Sequence, residues 1–310
     1  MSETATAMSG EPLPMPGAPF GRLLTAMVTP MTGDLAVDYD GAARLAEHLI
    51  TQMRNDGLVI SGTTGESPTT SDEEKERLLR AVVEAVGSRA TVVAGVGTYD
   101  TAHSCELARR AERAGANALL VVTPYYSKPP QAGLVAHFTA VADATGLPVM
   151  VYDIPGRTGT PIATETLIQL AQHPRIVAVK DAKGDLGAAS VVMNATGLAF
   201  YCGDDILNLP WLSVGACGFV SVHAHLVGDR LHEMIDAYLA GEVARALRLH
   251  RELLPVYTGM TRTQNVITTK AALAMLGLPA GPVRPPLVDA TPAEAERLRA
   301  DLVAGGVKLT

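Results

Sequence analysis

Eight short aliphatic runs, separated by longer segments of helical period, constrain this chain more than any other feature of it. They fall at 24–28, 57–61, 91–94, 118–123, 148–153, 176–181, 199–203 and 218–222. Each run is almost continuously apolar, as a strand buried on both faces must be, and none alternates like a half-solvated antiparallel strand. A βαβα rhythm of this kind puts the strands in one parallel sheet with helices outside it. Eight units at a spacing of roughly 25 to 30 residues predict an α/β fold of the (β/α)8 TIM barrel type, with a doubly wound sheet as the alternative. Helix starts are also legible. Ser71 followed by Glu74 makes a capping box ahead of Arg77, Leu78 and Leu79, and Thr101 and Asp185 stand where N-caps belong.

The helical pattern continues past the eighth run for longer than one closing helix needs. Segments 226–239, 242–257, 265–276 and 292–303 read as helices, divided by Gly and Pro punctuation such as Gly277, Pro279, Pro285 and Pro286. The surplus predicts a C-terminal helical extension. The organisation expected is therefore a tail over 1–19, a barrel over 20–240 and an extension over 241–310. The tail holds small polar residues and the prolines Pro12, Pro14, Pro16 and Pro19, too little apolar surface to offset ordering entropy, and reads as flexible.

Composition sets the class. A hydrophobic fraction of 47% against 18% charged fits a globular chain with a large aliphatic core, and excludes disordered, fibrous and disulfide-stapled proteins. Lys and Arg number 25 against 32 Asp and Glu, a net charge of −7 with no basic block, so a nucleic acid backbone finds no electrostatic footprint. Cys105, Cys202 and Cys217, odd in number and in apolar surroundings, read as packed thiols of a reducing compartment. No Lys or Arg precedes Arg22, no apolar stretch follows Met1, and none approaches membrane-spanning length, so a cytoplasmic protein with no membrane partner is expected.

In a parallel barrel the chemistry sits at the carboxyl ends of the strands. Run two leads into Ser61, Gly62, Thr63, Thr64, Gly65, Glu66 and Ser67, where glycines allow close backbone approach and N–H groups and hydroxyls could seat a small carboxylate; a plain glycine turn explains the segment equally well. Run six ends Val179, Lys180, Asp181. A lysine desolvated at the barrel mouth has a lowered pKa and can attack a carbonyl carbon, the opening step of Schiff-base enzymes, unless it snorkels out or pairs with Asp181 or Asp153. Run five offers Tyr152 for proton transfer and, on the following loop, Arg157 as a planar fork for a carboxylate. Run four closes with Tyr125 and Tyr126 on a proline-stiffened loop, a pair that packing or an interface also explains. His223 and His225 have the spacing of metal ligands, but no further His, Asp or Glu set accompanies them, so satisfied loop histidines and no metal are expected. The stretch Ala94, Gly95, Val96, Gly97 lacks the third glycine of a dinucleotide fingerprint, and no nicotinamide cofactor is implied.

Taken together, GTTGES (62–67), VTPYYSKPP (122–130), YDIPGRTG (152–159), VAVKDA (177–182) and GDD (203–205) resemble the dihydrodipicolinate synthase family in order and spacing. The resemblance runs from about Leu23 to beyond Lys270. It implies a (β/α)8 barrel with a C-terminal helical extension, assembled as a homotetramer of two tight dimers, and class I lysine-dependent pyruvate chemistry without metal or organic cofactor. By the same resemblance Lys180 forms the Schiff base with pyruvate, and Thr63 and Thr64 hold the pyruvate carboxylate. Tyr152 is the general acid/base, relayed through Thr63 to Tyr126 from the neighbouring subunit. Arg157 binds the carboxylate of the second substrate, and Gly203 and Val220 line the pocket floor. An arginine in the PGRTG loop goes with L-aspartate 4-semialdehyde in this family, whereas sialic acid lyases and keto-deoxy sugar acid aldolases usually carry other residues there. A pyruvate aldolase of the latter kinds is the alternative within the family, and a catalytically silent barrel used as a binding module is the alternative outside it.

The chain departs from the family pattern in three places. Lysine-inhibited relatives carry a histidine pair after GTTGES and an Asn and a Glu after strand three; this chain has Asp72 and Lys75, then Tyr99 and His103, with Pro68 beside Ser67. Weak or absent inhibition by lysine is expected, because Lys75 repels a lysine effector and no Glu meets its ammonium. His223 follows strand eight where small or apolar residues are common, and residues 264–270 only partly match the usual NPIPVK-like segment.

Overall fold

The structure, a computed structural model, describes residues 17–309. Its strands are β1 (Leu23–Ala26), β2 (Gly57–Ile60), β3 (Thr91–Gly95), β4 (Ala118–Val122), β5 (Val149–Asp153), β6 (Ile176–Asp181), β7 (Ala199–Cys202) and β8 (Gly218–Ser221). All pair in parallel and in sequence order, and β8 pairs back onto β1, so the sheet closes into a barrel. A doubly wound sheet, which keeps two open edges, is excluded. The outer ring is α1 (Tyr39–Thr51), α2 (Asp72–Val86), α3 (Thr101–Arg113), α4 (Gln131–Asp143), the short α5 (Pro155–Thr158), α6 (Thr164–Leu170), α7 (Leu186–Ala195), α8 (Asn208–Ser213) and α9 (Ala224–Leu239). Beyond it lie α10 (Val243–Met260), α11 (Asn265–Met275) and α12 (Pro292–Ala304). Among the described residues no helix is long and apolar enough to cross a membrane.

The expected strands are all present, but most stop earlier at the carboxyl end. Val28, Ser61, Thr123, Gly203 and Val222 leave the ladder, and Ser61 does so in the left-handed region at φ 57°. These are the positions where the backbone turns outward into the loops that build the site. Ser71 and Glu74 exchange both capping-box bonds, and the Asp185 side chain caps α7. Thr101 is corrected: Asp100 is the N-cap of α3, its carboxylate accepting from the Ala102 N–H at 2.9 Å, while Thr101 begins the helix and hydrogen-bonds His137 Nδ1. A carboxylate reaches the free amide donors more readily than a hydroxyl already engaged across the α3–α4 contact.

Two apolar layers follow from the strand period. Leu24, Val59, Leu120, Met150, Ala178 and Val220 fill the barrel interior, and residues of opposite parity pack outward against the helices. The amino-terminal mouth is plugged by Phe20 and Tyr201, whose rings lie 6.2 Å apart; the Phe20 N–H donates to the Tyr201 hydroxyl, which donates to the Gly21 carbonyl. Residues 1–16 of the expected tail lie outside the described residues; of the remainder, Ala18 packs against the inner cluster. On β6 the same parity that points Ala178 inward points Lys180 inward one layer higher, and so fixes the site. The three helices past α9 are packed on the barrel, α10 against α9 and α12, and α11 against α9, α10 and α12.

Candidate active site

Thr63, Thr64, Tyr152, Arg157, Lys180 and Gly203, drawn from four strand ends, line one open cavity at the carboxyl face of the barrel. A neighbouring cleft shares Thr63, Tyr152 and Arg157 with it and extends to Tyr125.

Lys180 is 5% exposed, and its Nζ sits 4.2 Å from the centroid of the Tyr152 ring. The two carboxylates that could have neutralised it are engaged elsewhere. Asp153 pairs with Lys183 at 3.4 Å, and Asp181 accepts from the backbone N–H groups of Lys183 and Gly184 at 2.8 and 2.9 Å. No hydrogen bond or ion pair reaches the Lys180 Nζ among the described residues, so burial is left to act, and it lowers the ammonium to about 8 even though the Asp205 carboxylate pulls the other way. Tyr152 is governed by the same burial in the opposite sense: its phenol is pushed up to about 12, with Arg157 and the Thr63 hydroxyl moderating the rise. Gly203 faces the lysine stem, where a Cβ would come within 3.0 Å of Lys180 Cε. Any side chain there would displace the reactive amine.

The loop carrying Thr63 and Thr64 is held by residues to which sequence reasoning gave no role. Glu66 is 3% exposed, left-handed at φ 56°, and lines the cavity. Its carboxylate meets Lys270 Nζ at 2.6 Å and accepts from the Arg284 N–H at 2.8 Å. The Arg284 guanidinium is anchored in turn on both oxygens of Glu74, at 2.6 and 2.8 Å, and on the Leu35 and Thr69 carbonyls. Lys270 and Arg284 both belong to the C-terminal extension, and Asn265, Val266, Pro286 and Leu287 of that extension line the cavity. The extension roofs the site. A signal was available: Glu66 sits in a loop of glycines and hydroxyls, and a lone lysine in the apolar run of α11 is the kind of partner a buried acid requires.

Arg157 stands on α5 at the mouth, exposed, with no ion-pair partner among the described residues, and so is free to take an anion. Val220 lies fully buried in the barrel interior, and Val222, two residues on and on the same strand face, lines the cavity. Tyr126 is not brought into the cavity. It is 93% exposed and left-handed at φ 72°, next to Tyr125, whose ring meets Tyr99 edge to face at 5.4 Å. His223 and His225 take separate partners. His223 Nδ1 meets Asp205 at 2.6 Å, whereas His225 donates to the Val222 carbonyl and accepts from the Val28 N–H, and burial pushes its imidazole down to about 4. The cysteines are free thiols, Cys202 and Cys217 buried and Cys105 half-buried.

The sequence profile of the dihydrodipicolinate synthetase family matches residues 19–304. The chain belongs to that family. It is 67% identical over 298 residues to 4-hydroxy-tetrahydrodipicolinate synthase 2 of Streptomyces coelicolor, covering 96% of this chain and 99% of the relative. It is 68% identical over 289 residues to 4-hydroxy-tetrahydrodipicolinate synthase of Acidothermus cellulolyticus, covering 93% and 94%. Among solved structures it is similar to the Cyanidioschyzon merolae dihydrodipicolinate synthase crystallised with lysine bound, at 41% identity and a TM-score of 0.91, over 93% of this chain and 99% of that one. The fold just described is thus that of a synthase-family barrel whose C-terminal extension closes over the strand ends.

The Glu66–Lys270 pair provides a test of that closure. Glu66→Gln leaves the Lys270 ammonium buried without a counter-charge, with an expected loss of about 3–5 kcal/mol in urea unfolding. The double variant Glu66→Gln/Lys270→Met removes both charges and is expected to recover at least half of the loss. Equal stability of the single variant and the parent would show that the pair does not hold the extension to the barrel.

Proposed function

We propose that this chain condenses pyruvate with L-aspartate 4-semialdehyde to give 4-hydroxy-tetrahydrodipicolinate, the first committed step of the diaminopimelate and lysine branch. The observation that carries the reading is a buried, unpaired lysine facing a tyrosine across a cavity with an unpaired arginine at its mouth, in a lyase family whose relatives of that name match nearly the whole chain.

The chemistry follows from these two groups, Lys180 in its amine form and Tyr152 as a phenol. Lys180 Nζ attacks C2 of pyruvate, a C–N bond forms, and the carbonyl oxygen leaves as water with one proton from the amine and one from an acid. The cationic iminium then draws electrons from C3, whose proton departs to leave an enamine. The enamine carbon bonds the aldehyde carbon, and the aldehyde oxygen takes a proton. The amino group of the second substrate closes the ring on C2 and releases Lys180. Every electron pair moved finds its sink on the iminium nitrogen, so the route calls for no metal or organic cofactor. Tyr152 is the acid and base of these steps, and a phenol held neutral by burial has a proton to give. Thr63 relays it, and Tyr126 extends the relay from a second copy of this chain. Thr64 and the amide-rich loop seat the pyruvate carboxylate, and Arg157 takes the carboxylate of the semialdehyde by its bidentate fork. Gly203 and Val220 shape the floor.

Self-association is part of the reading. An exposed tyrosine held at positive φ on a stiff loop has no side-chain partner among the described residues, and a role in a tight dimer, doubled into a homotetramer, would account for it. Localisation in the cytoplasm accords with the biosynthetic role.

Borohydride reduction with pyruvate is expected to fix a pyruvate-derived mass on the peptide containing Lys180, in a preparation that turns over aspartate semialdehyde. Its kcat/KM for pyruvate should rise with pH to a plateau above about 8, because the ammonium below that point cannot attack. Arg157→Ala should raise KM for the semialdehyde by roughly 100-fold while leaving the adduct, the loss of one charge-assisted bidentate contact. An adduct without turnover moves the acceptor to a keto-deoxy sugar acid aldehyde or N-acetylmannosamine; no adduct leaves a binding barrel. An active monomer on size analysis removes Tyr126 from the relay.

Weak or absent lysine inhibition is part of the same reading, and the contacts of the α2–α3 region support it. Asp72 is already taken by His103 Nε2 at 2.9 Å, and Lys75 Nζ is tied to the Thr70 carbonyl at 2.7 Å. A lysine ammonium therefore meets a cation and an occupied carboxylate. Millimolar lysine is expected to leave well over half of the initial rate, and halving of the rate would contradict this.

A further inference from the structure

Arg157 rides on α5, a single helical turn with no side-chain cap at its start, and its guanidinium makes no hydrogen bond or ion pair among the described residues. Its reach is therefore set by the backbone beneath it, and one isolated turn does not hold itself. Contacts at both ends close the segment 154–162 that contains it. The Thr158 hydroxyl lies 3.1 Å from the Ile154 carbonyl and 3.1 Å from that of Thr160, joining the start of the segment to its return. At the far end Ile162 is gripped on both backbone groups. Its N–H donates to the Asp153 carboxylate at 3.3 Å, and its carbonyl accepts from Lys183 Nζ at 3.2 Å. The same Nζ meets the fully buried Asp153 carboxylate at 3.4 Å. Asp181, the last residue of β6, accepts from the Lys183 N–H at 2.8 Å, so this ammonium is mounted on the end of the strand that carries Lys180.

We propose that Lys183 is a positioning residue which, through Asp153 and Ile162, sets the Arg157 guanidinium at a fixed reach from Lys180 and so determines affinity for the carboxylate of the second substrate. This rests on the Schiff-base reading above, which gives Lys183 no part. Lys183 is not among the residues that line the cavity, so it acts through the Arg157 loop and not by touching substrate. A lysine suits the position. Asp153 and Asp181 are register partners on β5 and β6, and two buried carboxylates side by side require a cation; an ammonium has donors for a carboxylate and a carbonyl at once. Gln131 supports the same segment from α4, donating to the Pro161 carbonyl at 2.9 Å and accepting from the Ala163 N–H at 3.0 Å. That contact gives the return a second support but ties it to the outer ring. Only the Asp153–Ile162–Lys183 clasp ties it to β5 and β6, whose ends carry Tyr152 and Lys180.

Lys183→Met is expected to raise KM for aspartate semialdehyde about tenfold, while kcat, KM for pyruvate and the yield of borohydride adduct stay within about twofold of the parent. Lys183→Arg keeps a cation with several donors and should bring the KM back to within about threefold of the parent. Arg157→Ala supplies the deciding background: with the guanidinium gone there is nothing left to position, and adding Lys183→Met should change KM by less than about threefold. If Lys183→Met does not fold, Asp153→Asn/Lys183→Met removes the unpaired buried carboxylate, keeps an acceptor for the Ile162 N–H, and is expected to show the same rise. The unaltered protein separates this role from the reading beneath it. Absence of adduct or of semialdehyde turnover there ends the Schiff-base reading itself. With both present, the role of Lys183 is overturned if a folded variant leaves KM for the semialdehyde unmoved, if KM for pyruvate rises with it, if Lys183→Arg is as impaired as Lys183→Met, or if the whole rise persists without Arg157.

Discussion

Burial of one amine at the carboxyl mouth of a closed barrel is the constraint from which the rest of this structure follows. Parallel strands with apolar residues on both faces can shed both edges only by closing, and closure places one face of every strand away from water. Lys180 is on that face because of its parity with Ala178. Desolvation then acts on the two titratable groups of the site in opposite senses, keeping the phenol protonated and bringing the amine close enough to neutral pH for a reactive fraction to lose its proton. One physical cause prepares the nucleophile and the acid together.

Such a site has to be covered and held, and the chain spends its C-terminal extension on this. The loop bearing Thr63 and Thr64 runs through left-handed backbone at Ser61 and Glu66, conformations that side-chain-bearing residues adopt only when their surroundings over-determine them. The surroundings here are Lys270 and the Arg284 amide on Glu66, with Arg284 locked onto Glu74. Glu74 also completes the capping box of α2, so a single carboxylate joins the helix start to the extension. The extension is accordingly part of the active site and not an appendage to it.

The fold was legible in the sequence because strand burial writes itself as uninterrupted aliphatic runs, and all eight were found to within two residues. What shortened them, the turning of Ser61, Thr123 and Gly203 into loops, depends on backbone geometry that composition does not record. Most of the site was legible for a similar reason: Lys180, Tyr152 and the GTTGES loop sit at strand ends, and the barrel brings strand ends together. Glu66, Lys270 and Arg284 were not, since a pair more than 200 residues apart leaves no local pattern. His223 was seen as a departure and weighed as a ligand; only the structure shows Asp205 beneath it. Thr101 was misjudged by one position because Asp100 and Thr101 are both capping residues and their side-chain partners decide between them.

The most direct measurement is a titration of Lys180 itself, by NMR of protein carrying 13C at the lysine ε position, with the Lys180→Arg variant assigning the resonance. The account predicts a midpoint near 8, well below that of the surface lysines. A midpoint at the ordinary lysine value of about 10.4 would mean that the ammonium is not desolvated, and would contradict the account at its root.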